Sequence, residues 1–417
     1  MRLVMGAQNC GFGPASVLVA VSRLLPGHQR VFVGDGVAAA FAHRNADAFG
    51  ELHDPTGTDD LLKGADQVVS AMNADLAVRA VVAGRPLVMV DSLFSFWRLH
   101  HPLTHIRDLC ATMPRGSFAA AERHLSGLSP HERVIAAHFL ATHSVVQNFP
   151  GVPRRIAEFT GAGGRSAMHL TGPVIDTAGL REVALRASAA PDPAYDLLVN
   201  IGGFTNFLLS PDVNNAYLRL LHRWLPDLLR DWRRFGRVLV CGGPFGGNRA
   251  VTVSAGGRQA DCKLLPQRHL LRQVACTPHY LLAPGLSALH EALALGQLPL
   301  AAPEQHYAHV FTVRELGGTL FGRTACRLAD VLPRHPVPED DTAGTAALVA
   351  IADRIAADDK LYARFRQTLN ERIEQHLSLT AAQRSRGVRE LREAFDGAQP
   401  ASLIAGLVDG RGRVRSP

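Results

Sequence analysis

Residues 280–303 constrain the fold of this chain more than any other stretch. A short apolar run at Tyr280–Ala283 is followed by a Pro-Gly pair, by apolar residues at helical spacing, and by a second apolar run at Leu298–Ala302. This order predicts a strand, a turn, a helix and a second strand, which together form a βαβ unit with parallel strands. The first turn of such a helix presents backbone N–H groups and the positive end of the helix dipole. The segment therefore predicts an α/β sheet with an anion-binding turn at its edge.

Two further glycine turns divide the chain into similar halves. The predicted strands Arg2–Met5 and Leu197–Ile201 lead into glycine turns at residues 11–13 and 202–203. Each half is therefore predicted to be a doubly wound sheet with helices on its faces. A chain of 417 residues is also longer than one core usually supports. We place the first domain at residues 1–185, the second at 186–375, and a group of terminal helices at 376–417.

The composition excludes several classes of protein. Apolar residues make up 47% of the chain, which argues against global disorder, and no apolar run is long enough to span a membrane. The net charge of +7 is not gathered into basic patches interleaved with aromatic residues, so nucleic-acid binding is not favoured. The cysteines form no C-x-x-C pair, and no H-E-x-x-H pattern is present, so no metal site is expected. The amino terminus does not resemble a signal peptide, and we expect a cytoplasmic protein.

The glycine turn of the first half leaves a dinucleotide site open as an alternative. Its Gly-x-Gly pattern is followed by Ser16 instead of the third glycine of the dinucleotide fingerprint, whereas Asp35 does follow the second strand. An NAD-dependent oxidoreductase therefore stays a distant alternative.

The residues of the 280–309 segment resemble a known nucleotide-sugar site. A turn glycine at Gly285, a carboxylate six residues later at Glu291, and a Pro-x-Gln loop that ends at Gln305 carry the resemblance. They are similar to the donor site of GT-B glycosyltransferases, in the branch that includes the bacterial lipid II-forming N-acetylglucosaminyl transferase. The resemblance implies two Rossmann-like α/β domains facing a cleft, with terminal helices that cross back onto the amino-terminal domain. It also implies a UDP-sugar donor, with neither a metal nor an organic cofactor.

The same resemblance assigns roles to individual residues. It implies that backbone N–H groups at the helix start bind the diphosphate, that Glu291 binds the ribose and that Gln305 contacts the donor sugar. The implied site positions are the diphosphate turn Gly285, Leu286 and Ser287, the uracil-pairing backbone at Leu270, the donor-side loop Gly202, Gly203 and Thr205, and the cleft loop Gly11, Phe12 and Gly13. Many of these enzymes carry His or Arg eight residues before the Glu as a phosphate contact. Here that position is Ala283, which leaves phosphate binding to the backbone and the helix dipole.

An acceptor that loses a proton requires a general base on the amino-terminal half. Asp91 is the preferred candidate, because it ends an apolar strand beside Phe94 and Trp97, which could stack a flat acceptor. The alternatives are an Asp that caps the following segment and aromatic residues that belong to the core. The further candidates for the base are the carboxylates and histidines Asp35, Glu51, His100, His101 and His105.

Three motifs are similar to those of cytosylglucuronate synthases, enzymes of actinomycete nucleoside-antibiotic pathways. They are G-F-G-P-A at residues 11–15, V-D-S-L-F at 90–94, and the stretch from P-G-L to P-E-Q-H-Y at 284–307. This resemblance implies transfer of glucuronate from UDP-glucuronate to a cytosine-type base. An arginine would then hold the sugar carboxylate, and the candidates are Arg165, Arg249 and Arg258.

The sequence as a whole predicts an inverting glycosyltransferase that uses a UDP-sugar and a small heterocyclic or natural-product acceptor, and a homodimer is the candidate assembly. Two other functions stay open. A non-hydrolysing UDP-sugar epimerase would convert its substrate without an acceptor. An idle sugar-nucleotide-binding protein would bind UDP and release none from a donor.

Overall fold

The computed structural model describes residues 1–187, 194–210, 212–243 and 250–410 of the chain. The chain divides into two compact units, one made of Met1–Asp176 with Ala394–Pro417 and the other of Thr177–Glu393. Each unit contains one mainly parallel sheet with helices in the connections between its strands. The predicted architecture of two doubly wound α/β units is therefore confirmed. Within the described ranges, no helix is long and apolar enough to cross a membrane.

The described residues of the first unit include seven strands. Its strands are β1 (Arg2–Ala7), β2 (Gln29–Val33), β3 (Glu51–His53), β4 (Gln67–Ala71), β5 (Leu87–Asp91), β6 (His143–Gln147) and β7 (Ala167–Thr171). They form one sheet in the order β3-β2-β1-β4-β5-β6-β7, and every neighbouring pair is parallel. The connections are α1 (Gly13–Arg23), α2 (Gly36–Arg44), α3 (Thr58–Lys63), α4 (Ala74–Val82), α5 (Leu103–Thr112), α6 (Phe118–His124), α7 (Pro130–Leu140) and α8 (Val152–Gly161), with 3₁₀ turns at Ala46–Ala48 and Pro55–Gly57.

The central strands of this sheet are buried on both faces, as parallel strands covered by helices must be. All five residues of β4 and all five of β5 are buried. Helix α1, which has a proline in its first turn, is buried from Pro14 to Ser22. The strand ends are therefore the part of the sheet where polar side chains can serve a ligand.

The second unit, in the part that the structure describes, has six strands that form the sheet. Its helices are α9 (Thr177–Ala187), α10 (Ala216–Asp231), α11 (Gln267–Cys276), α12 (Leu286–Ala294), α13 (Tyr307–Glu315), α14 (Leu320–Thr324), α15 (Leu328–Val331), α16 (Asp341–Ala357), α17 (Asp359–Ser378) and α18 (Ala381–Ala394). Its strands are β8 (Leu197–Asn200), β9 (Arg237–Cys241), β10 (Val251–Ala255), β11 (Arg258–Lys263), β12 (His279–Leu282) and β13 (Leu300–Ala301). The order is β10-β11-β9-β8-β12-β13, and only the β10–β11 pair is antiparallel.

The end of the chain returns to the first unit. The last helix, α19 (Pro400–Val408), buries Ile404, Leu407 and Val408 in the same apolar cluster as strand β1. Just before it, the carbonyl of Ala398 accepts hydrogen bonds from the Gly172 N–H at 2.9 Å and the Thr171 hydroxyl at 2.7 Å. The carboxyl-terminal segment thus covers an edge and a face of the first sheet.

The boundaries between the units differ from those placed by sequence. Helix α9 packs on α11, so the second unit begins at Thr177 and not at residue 186. Helix α18 belongs to the second unit, because Gly387 lies against Leu298 and Arg392 donates to the carbonyl of Leu293. The segment grouped at 376–417 is therefore divided between the units.

Candidate functional site

Two glycine loops meet at the carboxyl edge of the second sheet, after β8 and β9. A β-carbon on Gly242, whose φ is +96°, would lie 2.3 Å from the carbonyl oxygen of Gly202 and 2.8 Å from its nitrogen. Gly243 donates its N–H to the same carbonyl at 2.7 Å. The close approach of the two loops therefore requires glycine at residue 242.

The donor-side residues predicted on the first of these loops lie at this edge and are partly exposed. The N–H of Gly202 donates to Oδ1 of Asn200 at 2.9 Å, and the Thr205 hydroxyl donates to the carbonyl of Phe204 at 2.8 Å. Gly203 also lies partly exposed in this loop. The N–H of Gly202 is thus bonded within the loop. The φ angle of Gly202 is +66°, a left-handed conformation that favours glycine at this turn.

Helix α12 begins directly after strand β12 at the same edge. Gly285 is its N-cap, but its N–H donates back to the carbonyl of Ala283 at 2.5 Å. No side chain of the described residues caps α12, and the first intrahelical hydrogen bond runs from the N–H of Leu289 to the carbonyl of Gly285 at 3.1 Å. The N–H groups of residues 286–288 therefore precede the helical ladder and point from the helix start. Of the three residues predicted to form an anion-binding turn, Gly285, Leu286 and Ser287, the first therefore has its N–H already bonded within the turn.

Glu291 is buried, and it is joined to the start of a second helix. Its Oε1 accepts a hydrogen bond from Nε2 of Gln267 at 2.7 Å, and the two residues are 3% and 1% exposed. Gln267 is the first residue of α11. Sequence reasoning did not single it out, because the two partners are separated along the chain by strand β12 and its flanking loops.

Leu270 lies within the first turn of α11, and its N–H donates to the carbonyl of Pro266 at 3.0 Å. That N–H is therefore already bonded within the helix and cannot also donate to uracil. The N–H groups that precede the ladder of α11 belong to residues 267–269.

The side chain of Gln305 forms a hydrogen bond that connects the loop after β13 to the loop after β8. Its Nε2 donates to the carbonyl of Ile201, and its side chain is buried. The preceding residue, Glu304, is equally buried, and its carboxylate accepts the N–H of Leu328 at 2.9 Å. Burial raises the pKa of Glu304 to about 7. Glu304 was missed by sequence reasoning, and the only available signal was its place beside Gln305 after an apolar strand.

Asp91 is fully buried in the first unit, and both oxygens of its carboxylate contact protein groups. Oδ1 accepts the N–H of Leu93 at 2.6 Å, and Oδ2 accepts the indole N–H of Trp97 at 2.6 Å. Oδ2 also lies 3.0 Å from Nε2 of the buried His138. This geometry suits a structural carboxylate that holds the strand end, and it does not suit a general base that must reach an acceptor.

The aromatic residues beside Asp91 belong to the core. Phe94 is 0% and Trp97 3% exposed. Phe94 packs edge-on against His138, with ring centroids 4.8 Å apart, and Trp97 packs in the same way against His131 at 5.1 Å. Neither ring offers an open face to an acceptor, and the core alternative for these residues fits the structure.

We expect Asp91→Ala to lower the free energy of unfolding of the first unit by about 3 kcal/mol, because it leaves the N–H groups of Leu93 and Trp97 buried without an acceptor. Urea denaturation of the variant measures this effect. If Asp91→Ala kept wild-type stability but lost catalytic turnover, Asp91 would instead be the general base.

The histidines and Glu51 are held by structural contacts. The N–H groups of His100 and His101 donate to Oε1 of the buried Glu132, at 2.7 and 2.6 Å. Burial opposes ionisation of Glu132, but hydrogen bonds from Ser129, His101 and His100 lower its pKa to about 2. His105 stacks on His101 with ring centroids 4.9 Å apart. Glu51 lies at the amino edge of the sheet, where it accepts from Gln29 at 2.6 Å.

Asp35 lies at the carboxyl edge of the first sheet, directly after β2. It is exposed, and as the N-cap of α2 its side chain makes no capping hydrogen bond. Oδ1 of Asn9 accepts the N–H of Val37 at 2.8 Å, which ties the start of α2 to the loop after β1. That loop contains Gly11, with φ +58°, the partly exposed Phe12, and Gly13, where α1 begins.

Two of the three arginines proposed to hold a sugar carboxylate, Arg165 and Arg258, do not lie at the carboxyl edges of the sheets. Arg165 precedes β7 and Arg258 begins β11, so both stand at the amino ends of their strands. The guanidinium of Arg258 donates to the carbonyl of Leu229 at 2.8 Å. Arg249 lies outside the described residues. In the parts of the chain that the structure describes, no cluster of three or more His, Cys, Asp or Glu could hold a metal ion.

The chain matches no family model and no curated protein. Among solved structures it is similar to LpCGTa in complex with UDP (12% identity, TM-score 0.44, 94% of this chain and 97% of that chain covered). It is also similar to a UDP-glucosyltransferase from Polygonum tinctorium (14% identity, TM-score 0.43, 94% of this chain and 98% of that chain covered). A third similar structure is the spinosyn forosaminyltransferase SpnP (14% identity, TM-score 0.42, 91% of this chain and 100% of that chain covered). Similarities at this level do not by themselves assign a function to the chain.

Proposed function

We propose that this protein is a glycosyltransferase that takes its sugar from a uridine diphosphate sugar. The observation that carries the proposal is the grouping of three recognition elements after the neighbouring strands β12 and β13. They are the uncapped start of α12, the buried carboxylate of Glu291, and the buried amide of Gln305. A helix start suits a diphosphate, a carboxylate accepts from ribose hydroxyls, and an amide can both donate to and accept from sugar hydroxyls.

We assign recognition of uracil to the start of α11. The hydrogen bond between Gln267 and Glu291 joins this helix start to the proposed ribose site. A base bound to the N–H groups of residues 267–269 would therefore adjoin a ribose bound to Glu291. The sequence predicted that the backbone around Leu270 pairs with uracil; because the N–H of Leu270 is bonded to the carbonyl of Pro266, we assign the pairing to the N–H groups that precede it.

In the proposed reaction, the acceptor attacks the anomeric carbon of the sugar from the face opposite the diphosphate. The bond between that carbon and the phosphate oxygen breaks, and UDP leaves with the electron pair. Negative charge then grows on the diphosphate, where the N–H groups of Leu286, Ser287 and Ala288 would stabilise it. The acceptor passes its proton to a base, and the sugar is inverted.

We assign the base role to Asp35 and the acceptor contact to Phe12. Asp35 is an exposed carboxylate at the carboxyl edge of its sheet, where doubly wound proteins place ligands. Phe12 is partly exposed nearby and packs on Phe41, with ring centroids 5.3 Å apart. We further propose a small heterocyclic acceptor such as a cytosine-type base, and a donor that is a UDP-hexose or UDP-glucuronate. The resemblances of the sequence motifs support these finer assignments.

We expect UDP to stabilise the protein and Glu291→Ala to remove its recognition of the ribose. A ligand at a hundredfold excess over its dissociation constant adds about 2.7 kcal/mol of stability, which a thermal melt detects. The wild type should bind UDP about tenfold more tightly than 2′-deoxy-UDP, and the variant should lose this preference. Glu291→Gln is the matched control, since its remaining oxygen can still accept from Gln267.

The same titrations, followed by product analysis, distinguish the open alternatives. UDP released only when an acceptor is present supports transfer. An isomeric UDP-sugar formed without any acceptor would show an epimerase, and binding without product from any donor would show an idle binding protein. A melt shifted by NAD and not by UDP would contradict the assignment of the 280–309 segment.

A further inference from the structure

His309 is a buried imidazole whose protonation pattern is set by the backbone. It lies in the first turn of α13 and is 7% exposed. Its Nδ1 accepts the N–H of Gln305 at 3.3 Å. A ring nitrogen that accepts carries no proton, so in the neutral ring the proton is on Nε2. His309 therefore presents an N–H donor at Nε2.

That nitrogen lies close to the turn before α12. A β-carbon on Gly285 would lie 3.8 Å from Nε2 of His309. No described residue forms a hydrogen bond with Nε2. An imidazole N–H in this position can donate to an acceptor that a ligand brings to the turn.

The surroundings keep this imidazole neutral. Burial lowers the pKa of His309 well below its ordinary value, and the neighbouring His306, with its ring centroid 3.9 Å away, lowers it further. A neutral ring keeps one donor and one acceptor, so the hydrogen bond to Gln305 and the free Nε2–H are compatible at neutral pH.

We propose that the Nε2–H of His309 donates a hydrogen bond to the diphosphate bound at the start of α12. This inference rests on the proposed function, because it takes the anion there to be a nucleoside diphosphate. The imidazole adds a side-chain donor to the backbone N–H groups of residues 286–288. His309 lies in α13, the helix after β13, whereas residues 286–288 begin α12, the helix after β12. Two successive helices would therefore contact the same phosphates.

Calorimetric titration of UDP and of uridine into the full-length protein tests the role of His309. His309→Leu should weaken UDP binding about tenfold, the loss expected for one hydrogen bond to a charged group, and should change uridine binding less than twofold. His309→Gln, whose amide can supply a donor near Nε2, should recover most of the affinity. His376→Leu is the matched control, because this histidine is also buried in the second unit and is bonded to Arg384.

The outcomes separate this inference from the proposed function. Equal UDP affinity in the wild type and His309→Leu would overturn the role of His309 while the nucleotide site stands. A wild type that binds neither UDP nor uridine would instead overturn the proposed function. In the wild type, the ¹⁵N signal of Nε2 should move on addition of UDP and not of uridine, which tests the contact even where His309→Leu does not fold. An Nε2 signal unchanged by saturating UDP would equally overturn the inference.

Discussion

Replacing Ser287 with Asp is expected to weaken UDP binding about a hundredfold while it stabilises the ligand-free protein. Residue 287 is the second residue of α12, a helix that no side chain caps. A carboxylate there would lie about 5 Å from a bound phosphate, and like charges at that separation near a protein surface repel by roughly 3 kcal/mol. The same carboxylate interacts favourably with the helix dipole, by about 0.5 kcal/mol. The two effects have opposite signs, so general damage to the fold cannot produce both.

Titration calorimetry and thermal melts of Ser287→Asp and Ser287→Asn measure these effects. The Asn variant is the matched control, because it has the size of the Asp side chain without its charge. It should bind UDP within a few-fold of the wild type. Uridine should bind both variants alike, since it lacks the phosphates. Equal UDP affinities for the Asp and Asn variants would mean that the anion site is not at α12.

The sequence predicted the βαβ unit around residue 285 because its signals are local. Apolar runs marked β12 and β13, and the Pro-Gly pair separated β12 from the helix. The same locality explains why the candidate site elements Glu291 and Gln305 could be named in advance. The pattern of apolar residues fixes the strand ends, and the polar residues that follow those ends gather at one edge of the sheet.

The role of Asp91 could not be read from its neighbours in sequence. A carboxylate after a buried strand can equally be an exposed general base or a buried group that accepts hydrogen bonds from the protein. The outcome depends on His138, which α7 brings to within 3.0 Å from 47 positions along the chain. The pairing of Gln267 with Glu291 and the approach of His309 to Gly285 also join different helices. Such contacts depend on how helices pack on the sheet, which periodicity does not specify.

Replacing Asp35 with Asn is expected to lower kcat about a thousandfold, within the range that a positioned general base contributes. The carboxylate is exposed at the carboxyl edge of the first sheet and is not used to cap α2. Asn is as good an N-cap residue as Asp, so the stability of the unit should be kept. The dissociation constant for UDP should also be unchanged, because the donor site is proposed on the second unit.

Glu51→Gln is the matched control for Asp35→Asn. Glu51 is another carboxylate of the same sheet, but it lies at the amino edge, where it contacts Gln29, Arg2 and His53. We expect its variant to keep kcat within about twofold of the wild type, because no proton transfer depends on it. Initial-rate assays of UDP release with saturating donor and acceptor compare the two variants. Asp35→Asn with a kcat near that of the wild type would exclude Asp35 as the base. A large loss in Glu51→Gln alone would place the acceptor at the opposite edge of the sheet.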